Sequence, residues 1–226
     1  MAAYPGVPAS LADAFSQALL EGALPGETEG LTPAEQAEAA AFVAEAAAQR
    51  RPGEVALKLQ SVGGEAARRL MRMVIVNDDM PFLVDSVAAV IAGHGLTVHR
   101  LLHPIVRATR DGDKLTGLGE GGAESVIYVE LDRADARGRQ ELVQEIEGVL
   151  ACVRAAVGDW RAMVALMRED AAQVAEADAE SAALLEWLAA NNFTLLGHKF
   201  VAADGQCGDG LGILSASGID LWSHED

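Results

Sequence analysis

The chain has 226 residues, half of them hydrophobic and only 4% aromatic, and a formal charge of −17 at neutral pH. That length supports one substantial core, or a core with an appended subdomain, built mainly from Leu, Val, Ile and Met. The acidic balance excludes a nucleic-acid role, since phosphate binding draws its affinity from Lys and Arg.

The acid is unevenly spread: residues 1–70 carry 5 basic and 9 acidic side chains, 71–110 carry 4 and 3, and 111–226 carry 8 and 22. Acidic helix faces that keep a protein soluble account for this. Cys152 and Cys207 lie far apart in different kinds of segment, which is no disulfide framework. The first basic residue is Arg50, so the N-terminus lacks the basic region of a secretory signal. No run approaches the roughly 20 apolar residues of a membrane span. The expectation is a cytoplasmic protein with neither a membrane nor a nucleic-acid partner.

In chain order, residues 1–30 read as a short helix near Leu11 to Leu20 followed by a loop, a segment expected to be mobile. Thr32-Pro33-Ala34-Glu35 starts a helix, with Thr32 as N-cap, Pro33 at the first helical position and Glu35 placed for a reciprocal cap. The helix should run to about Arg50, where Arg51-Pro52-Gly53 stops it. Glu54 to Val62 alternates apolar and polar residues and predicts a strand at a sheet edge. After Gly63-Gly64 come the apolar strand Leu70 to Val76 and a helix from Pro81 to about His94, with Val84, Val87, Ala88 and Ile91 on one face and Gly93 and Gly95 for a C-cap. Pro81 fits the first turn of that helix, and Asp78 and Asp79 put negative charge beside its positive end.

Thr97 to Thr109 predicts a long strand, bent or bulged at Pro104, and Asp111-Gly112-Asp113 a turn. Leu115 to Gly122 reads as a glycine-rich loop and Ser125 to Leu131 as a second alternating strand. Three helices follow, over about Arg137 to Ala156, from a cap at Asp159 through Trp160 to Val174, and over about Asp178 to Ala190 with Leu184, Leu185 and Leu188 inward. Asn191-Asn192 ends the last of them, and Phe193 to Val201 returns as a strand. From Met71 onward this order is the ferredoxin-like plan, with extra helices inserted before the last strand. The fold class is therefore α+β: a helical segment over 1–53, then a βαββαβ domain over 54–226 with inserted helices at about 137–190.

Candidate chemistry is sparse. Gly117-Leu-Gly119-Glu-Gly-Gly122 has the letters of a dinucleotide fingerprint but precedes a strand, whereas a fingerprint follows a strand and opens a helix. His99 and His103 share a strand face about 13 Å apart, too far for one ion with ligands at about 2 Å. They read as packing histidines, and His94, His198 and His224 have no partner nearby in sequence. The remaining candidate is the acidic turn Asn77-Asp78-Asp79-Met80-Pro81-Phe82, which is either a helix-capping turn or a ligand or interface site.

Four segments in order carry a family resemblance: Met73 to Val87, Gly95 to Val106, Glu124 to Arg133, and Leu185 to Gly197. Together they resemble the N-terminal, ACT-like region of the large bacterial NAD-specific glutamate dehydrogenases, over about Leu31 to Leu214. The resemblance implies an ACT-like module and a parent enzyme that converts L-glutamate, NAD and water to 2-oxoglutarate, ammonium and NADH in amino-acid catabolism. It implies no cofactor in this chain, NAD belonging to the parent. It also implies three partners: the remainder of the parent enzyme, a second copy through side-by-side ACT sheets, and an amino-acid effector at the Asn77–Phe82 turn. Effector-binding modules usually carry glycine after the proline, so Phe82 favours packing or assembly over a small ligand. Lys58, Lys114 and Lys199 are the only lysines, none in a dehydrogenase setting. A regulatory or assembly segment, a free-standing amino-acid-binding module and a small enzyme in its own right are the three functional expectations, the first preferred.

Overall fold

A computed structural model describes residues 8–62, 70–201 and 207–215. They fall into two compact units, one within residues 1–148 and the other within 149–226.

The first unit contains α1 (Ala9–Glu21), α2 (Pro33–Ala47), β1 (Ala56–Val62), β2 (Leu70–Asp78), α3 (Leu83–Gly93), β3 (Val98–Leu102), β4 (Ile105–Asp111), β5 (Lys114–Leu118), β6 (Gly122–Asp132) and the start of α4 (Ala136–Val174). The strands form one antiparallel sheet in the order β1-β2-β6-β4-β5, with β3 also paired to β6. β2 and β6 sit at its centre, and residues 71–77 are all buried, as expected of a strand covered on both faces.

Alternation along the strands sorts the side chains into two layers. Val74 and Val76 of β2 and Val126 and Tyr128 of β6 share a core with Leu11, Phe15 and Leu19 of α1 and Phe42 and Val43 of α2. The opposite parity, Met71, Met73, Ile75, Ile127, Val129 and Leu131, is equally buried. On that side α3 buries Leu83, Val87, Val90 and Ile91, and Leu142 and Ile146 are the buried positions at the start of α4. Arg139 of α4 donates to Ser61 Oγ of β1 (3.0 Å), and His94 after α3 meets Glu145 (2.8 Å).

The ACT-like α+β expectation holds, including the β1 edge strand, the α2 capping box between Thr32 and Glu35 and the break in the long strand at His103-Pro104. Three details of the sheet and the helix before it differ. Residues 9–21 were expected to lie in a mobile segment, yet Leu11, Phe15 and Leu19 recur every fourth position and bury a full stripe of α1 in the core. The strand expected to close the sheet, Phe193 to Val201, does not join it. The place beside β2 is taken instead by β1, its neighbour in sequence, and adjacent strands pair most readily. The expected loop from Leu115 is partly strand: β5 forms a hairpin with β4 around Gly112 at φ 59°.

The second unit holds the rest of α4, then α5 (Ala179–Trp187), a π-helical turn at Leu188–Asn192, β7 (Gly197–Val201) and β8 (Cys207–Gly212). The two helices expected over 137–174 are one. Gly158 is carried inside α4, and the Asp159 carboxylate, expected to cap a new helix, accepts the Gly212 N–H (2.8 Å). Asp178 caps α5 by accepting from the Glu180 (3.1 Å) and Ser181 (3.0 Å) N–H groups. Asn191 ends the helical run in the left-handed region at φ 63°. Leu184, expected inward, is exposed, because α5 turns Ala182 inward instead. β7 and β8 form a separate two-stranded antiparallel sheet.

Candidate functional site

The turn from β2 to α3 is built by a strand buried up to its penultimate residue and a helix that begins on a buried position. Asn77 is buried, Asp78 closes β2, and Leu83 anchors the first residue of α3. Between them Phe82 adopts φ 71° and ψ 2°. A proline followed by a residue near φ +80° and ψ 0° is the type II turn arrangement, in which the second position is normally glycine. Pro81 therefore belongs to this turn and not to the helix, which starts two residues later than expected. A side chain with a Cβ in the left-handed region costs roughly 1–2 kcal/mol. Phe82 bears that cost with its ring half exposed.

The carboxylates of the turn have separate fates. Asp78 was expected beside the helix dipole but is held from behind: Arg50 Nη2 donates to Oδ1 (2.9 Å) and the Gly53 N–H to Oδ2 (2.8 Å). Asp85 supplies the negative charge in the first turn of α3. Asp79 is exposed, and its N–H donates to the Ala123 carbonyl (3.2 Å). Met80 is half-buried and Pro81 exposed.

Behind the turn lies a buried ionic cluster. Arg50 Nη2 also donates to Glu124 Oε1 (2.7 Å), and Arg110 grips the same carboxylate through Nε (2.6 Å) and Nη2 (2.8 Å). Arg110 further donates to the carbonyls of Ala47 and Asp113 (both 3.0 Å), so the end of α2, the β4–β5 hairpin, the start of β6 and the end of β2 are pinned together. Burial pushes the Glu124 carboxyl up, but the hydrogen bonds and charges of Arg110 and Arg50 outweigh it and hold the group below its ordinary range. Burial likewise works against the charged Arg50, and Glu124 and Asp78 more than compensate.

In front of the cluster, Ser125 pairs in register with Asn77 on one side and Ile105 on the other. His103 Nε2 lies 2.6 Å from Ser125 Oγ. Burial holds the His103 ring below its ordinary pKa, against the pull of Asp79 and Glu27, so it is neutral at pH 7. A hydroxyl on an imidazole suggests a nucleophile and its base, but Ser125 is 1% exposed and no substrate reaches it. Two further histidines are paired: His99 Nε2 with Asp132 Oδ1 (2.7 Å), which with the Thr97 N–H holds Asp132 down at about 2, and His94 with Glu145, 51 residues away. Among the described residues no three His, Cys, Asp or Glu side chains gather as metal ligands. Gly121 sits at φ 94° where a Cβ would come within 2.2 Å of the Ala108 carbonyl oxygen, so this one glycine of the stretch serves close backbone approach to β4.

Of the six turn residues, then, Asn77 belongs to the interior, Asp78 and Met80 lie at the boundary, and Asp79, Pro81 and Phe82 present the surface. Arg50, Arg110, Glu124 and the His103–Ser125 pair were not singled out from sequence. Their one signal was charge where the pattern is apolar, Glu124 opening an otherwise apolar strand and Arg50 closing an Ala-rich helix.

Residues 15–146, more than half of the chain, match the sequence profile of the family described as "Glutamate dehydrogenase, ACT1 domain". Similar relatives include the NAD-specific glutamate dehydrogenase of Halomonas elongata, 31% identical over 144 residues, and that of Pseudomonas aeruginosa, 33% identical over 148. The matches cover 56% and 58% of this chain but 9% of each relative. An antiparallel α+β module with a strand–turn–helix corner, and a profile match that spans it, place this chain in the glutamate dehydrogenase ACT1 domain family.

Proposed function

We propose that this chain acts as an assembly and regulatory segment of a much longer NAD-specific glutamate dehydrogenase and performs no chemistry by itself. The observation that carries this reading is the corner at Phe82. A half-exposed phenyl ring held in a backbone conformation that favours glycine fills the position through which a small ligand would approach the backbone. The carboxylate behind it, Asp78, is already engaged by Arg50 and Gly53. Strain of this kind persists where it serves function, and an aromatic ring offered to solvent suits contact with another protein surface. In this reading the oxidation of L-glutamate and the binding of NAD belong to other parts of the polypeptide, and the enzyme works in the cytoplasm.

Lys58 supports the division of labour. It is ion-paired with Glu45 and lies over the Phe42 ring at 5.4 Å, a structural placement that joins β1 to α2. Two measurements test the proposal. Calorimetric titration with a panel of amino acids should give no binding heat, and saturable heat from any of them would make the chain an effector-binding module instead. Glutamate-dependent NADH formation by the 226-residue chain alone would overturn the reading altogether.

A further inference from the structure

The second unit carries a concentration of exposed apolar side chains that the first does not. Leu184, Trp187, Phe193, Leu196, Phe200 and Val201, six large side chains within 18 residues, are each 48–65% exposed. Leu184 and Trp187 lie one turn apart on one side of α5. Phe200 and Val201 are neighbours on β7 and so point to opposite faces, yet both are exposed, which leaves neither face of the β7–β8 ribbon covered there. Among the described residues β7 and β8 pair only with each other, and no third strand lies along either edge, the Gly212 N–H being held by Asp159. A two-stranded ribbon is marginal in water and needs a further strand or layer.

The charge around this surface selects its occupant. The described residues from 149 onward hold 4 basic and 8 acidic side chains, and although Lys199 stands on β7, Glu180 and Glu186 are exposed beside Leu184 and Trp187 on α5. An anionic lipid surface would be repelled, and so would the same face of a second copy. The matches reach only 9% of the length of the relatives, so a partner surface within one polypeptide is amply available.

We propose that residues 184–201 form an intramolecular docking surface, met by an apolar face with a basic rim in a part of the longer polypeptide that lies outside the matched 9% of the relatives. The inference rests on the reading of this chain as a segment of such an enzyme. Hydroxyl-radical footprinting of Trp187 and Phe200, in the isolated 226-residue chain and in the full-length polypeptide, tests it. Protection of both side chains by about tenfold or more in the full-length protein is expected, with Leu24, exposed in the first unit, as the internal standard. Equal reactivity in the two proteins overturns the inference and leaves the parent reading intact, whereas a natural protein that ends near residue 226 overturns both. Protection in the isolated chain that grows with concentration assigns the face to a second copy and refutes the inference. In a second arm, the 226-residue chain is added to the full-length polypeptide lacking it. Trp187→Ser with Phe200→Ser should weaken binding by about 30-fold, the usual loss on truncating buried aromatic anchors. Unchanged affinity in the double variant refutes the surface.

Discussion

Replacing Phe82 by glycine and by alanine gives a test of the corner in which the side-chain term cancels. Both variants lose the same phenyl contacts, so their difference reports the backbone alone. At an ordinary position alanine is the more stable by about 0.5–1 kcal/mol, because glycine has more freedom to lose on folding. At φ 71° the alanine Cβ costs roughly 1–2 kcal/mol that glycine avoids. The balance reverses, and Phe82→Gly should exceed Phe82→Ala by about 0.5–1 kcal/mol, or about 0.4 M in urea midpoint at a slope near 2 kcal/mol/M. The probe must belong to the first unit. Trp160, Trp187 and Trp222 all lie beyond residue 148, so tryptophan emission reports the second unit, whereas hydrogen exchange at the backbone amides of β2 and β6 reports the sheet. A Phe82→Ala variant as stable as Phe82→Gly, or more so, would refute the strained corner and with it the argument that the ring is kept for contact.

Glu124→Gln should destabilise the first unit by about 3 kcal/mol, seen as a fall of roughly 6–12 °C in melting temperature, because it leaves Arg50 and Arg110 buried against a neutral group. Replacing Arg50, Arg110 and Glu124 together by apolar residues of similar volume should recover part of that loss, and a triple variant no better than Glu124→Gln would contradict it. Since the folded Glu124 carboxyl lies below its ordinary 4.5, its contribution is whole above that pH and is lost as pH falls through the folded value, which acid titration of the wild type against Glu124→Gln should resolve. His103 acts at a higher pH: held below 6.5 in the folded chain, it makes stability decline as pH drops beneath 6.5, where the unfolded chain takes up the proton first. His103→Gln should flatten the stability profile between pH 6.5 and 5, and an unchanged slope would count against a buried neutral ring. Gly121→Ala should cost about 2 kcal/mol or more in unfolding free energy, since its Cβ would meet the β4 backbone at a positive φ.

Local periodicity and breakers made most elements legible, and the places where they failed share a cause. Thr32-Pro33 and Glu35 gave the α2 start because a capping box is contained in four residues. Asp159 was read as a cap because aspartate at that position is locally plausible, but its partner is Gly212, 53 residues away. Phe82 was legible as a departure from effector-binding ACT modules, though not as a residue at positive φ, since nothing in a phenylalanine signals left-handed backbone. The Arg50–Glu124 contact joins residues 74 apart and depends on the register of β2 against β6, which a one-dimensional pattern does not contain. The missing return of Phe193 to Val201 to the sheet is of the same kind: two segments compete for one edge, and sequence shows both candidates without showing the winner.

The placement of β1 beside β2 bears on the order in which the chain is made. With the fourth sheet position filled from upstream, every strand of the large sheet has been synthesised once residue 132 is reached. A sheet that waited for a strand after α4 would keep the apolar edge of β2 open while some 60 further residues were added. Domains of long polypeptides generally fold as units from the N-terminus during synthesis, and exposed strand edges in that interval are where misassembly begins. An upstream edge strand closes that interval early, so the first unit can complete its hydrogen bonding while the residues after 148 are still being translated.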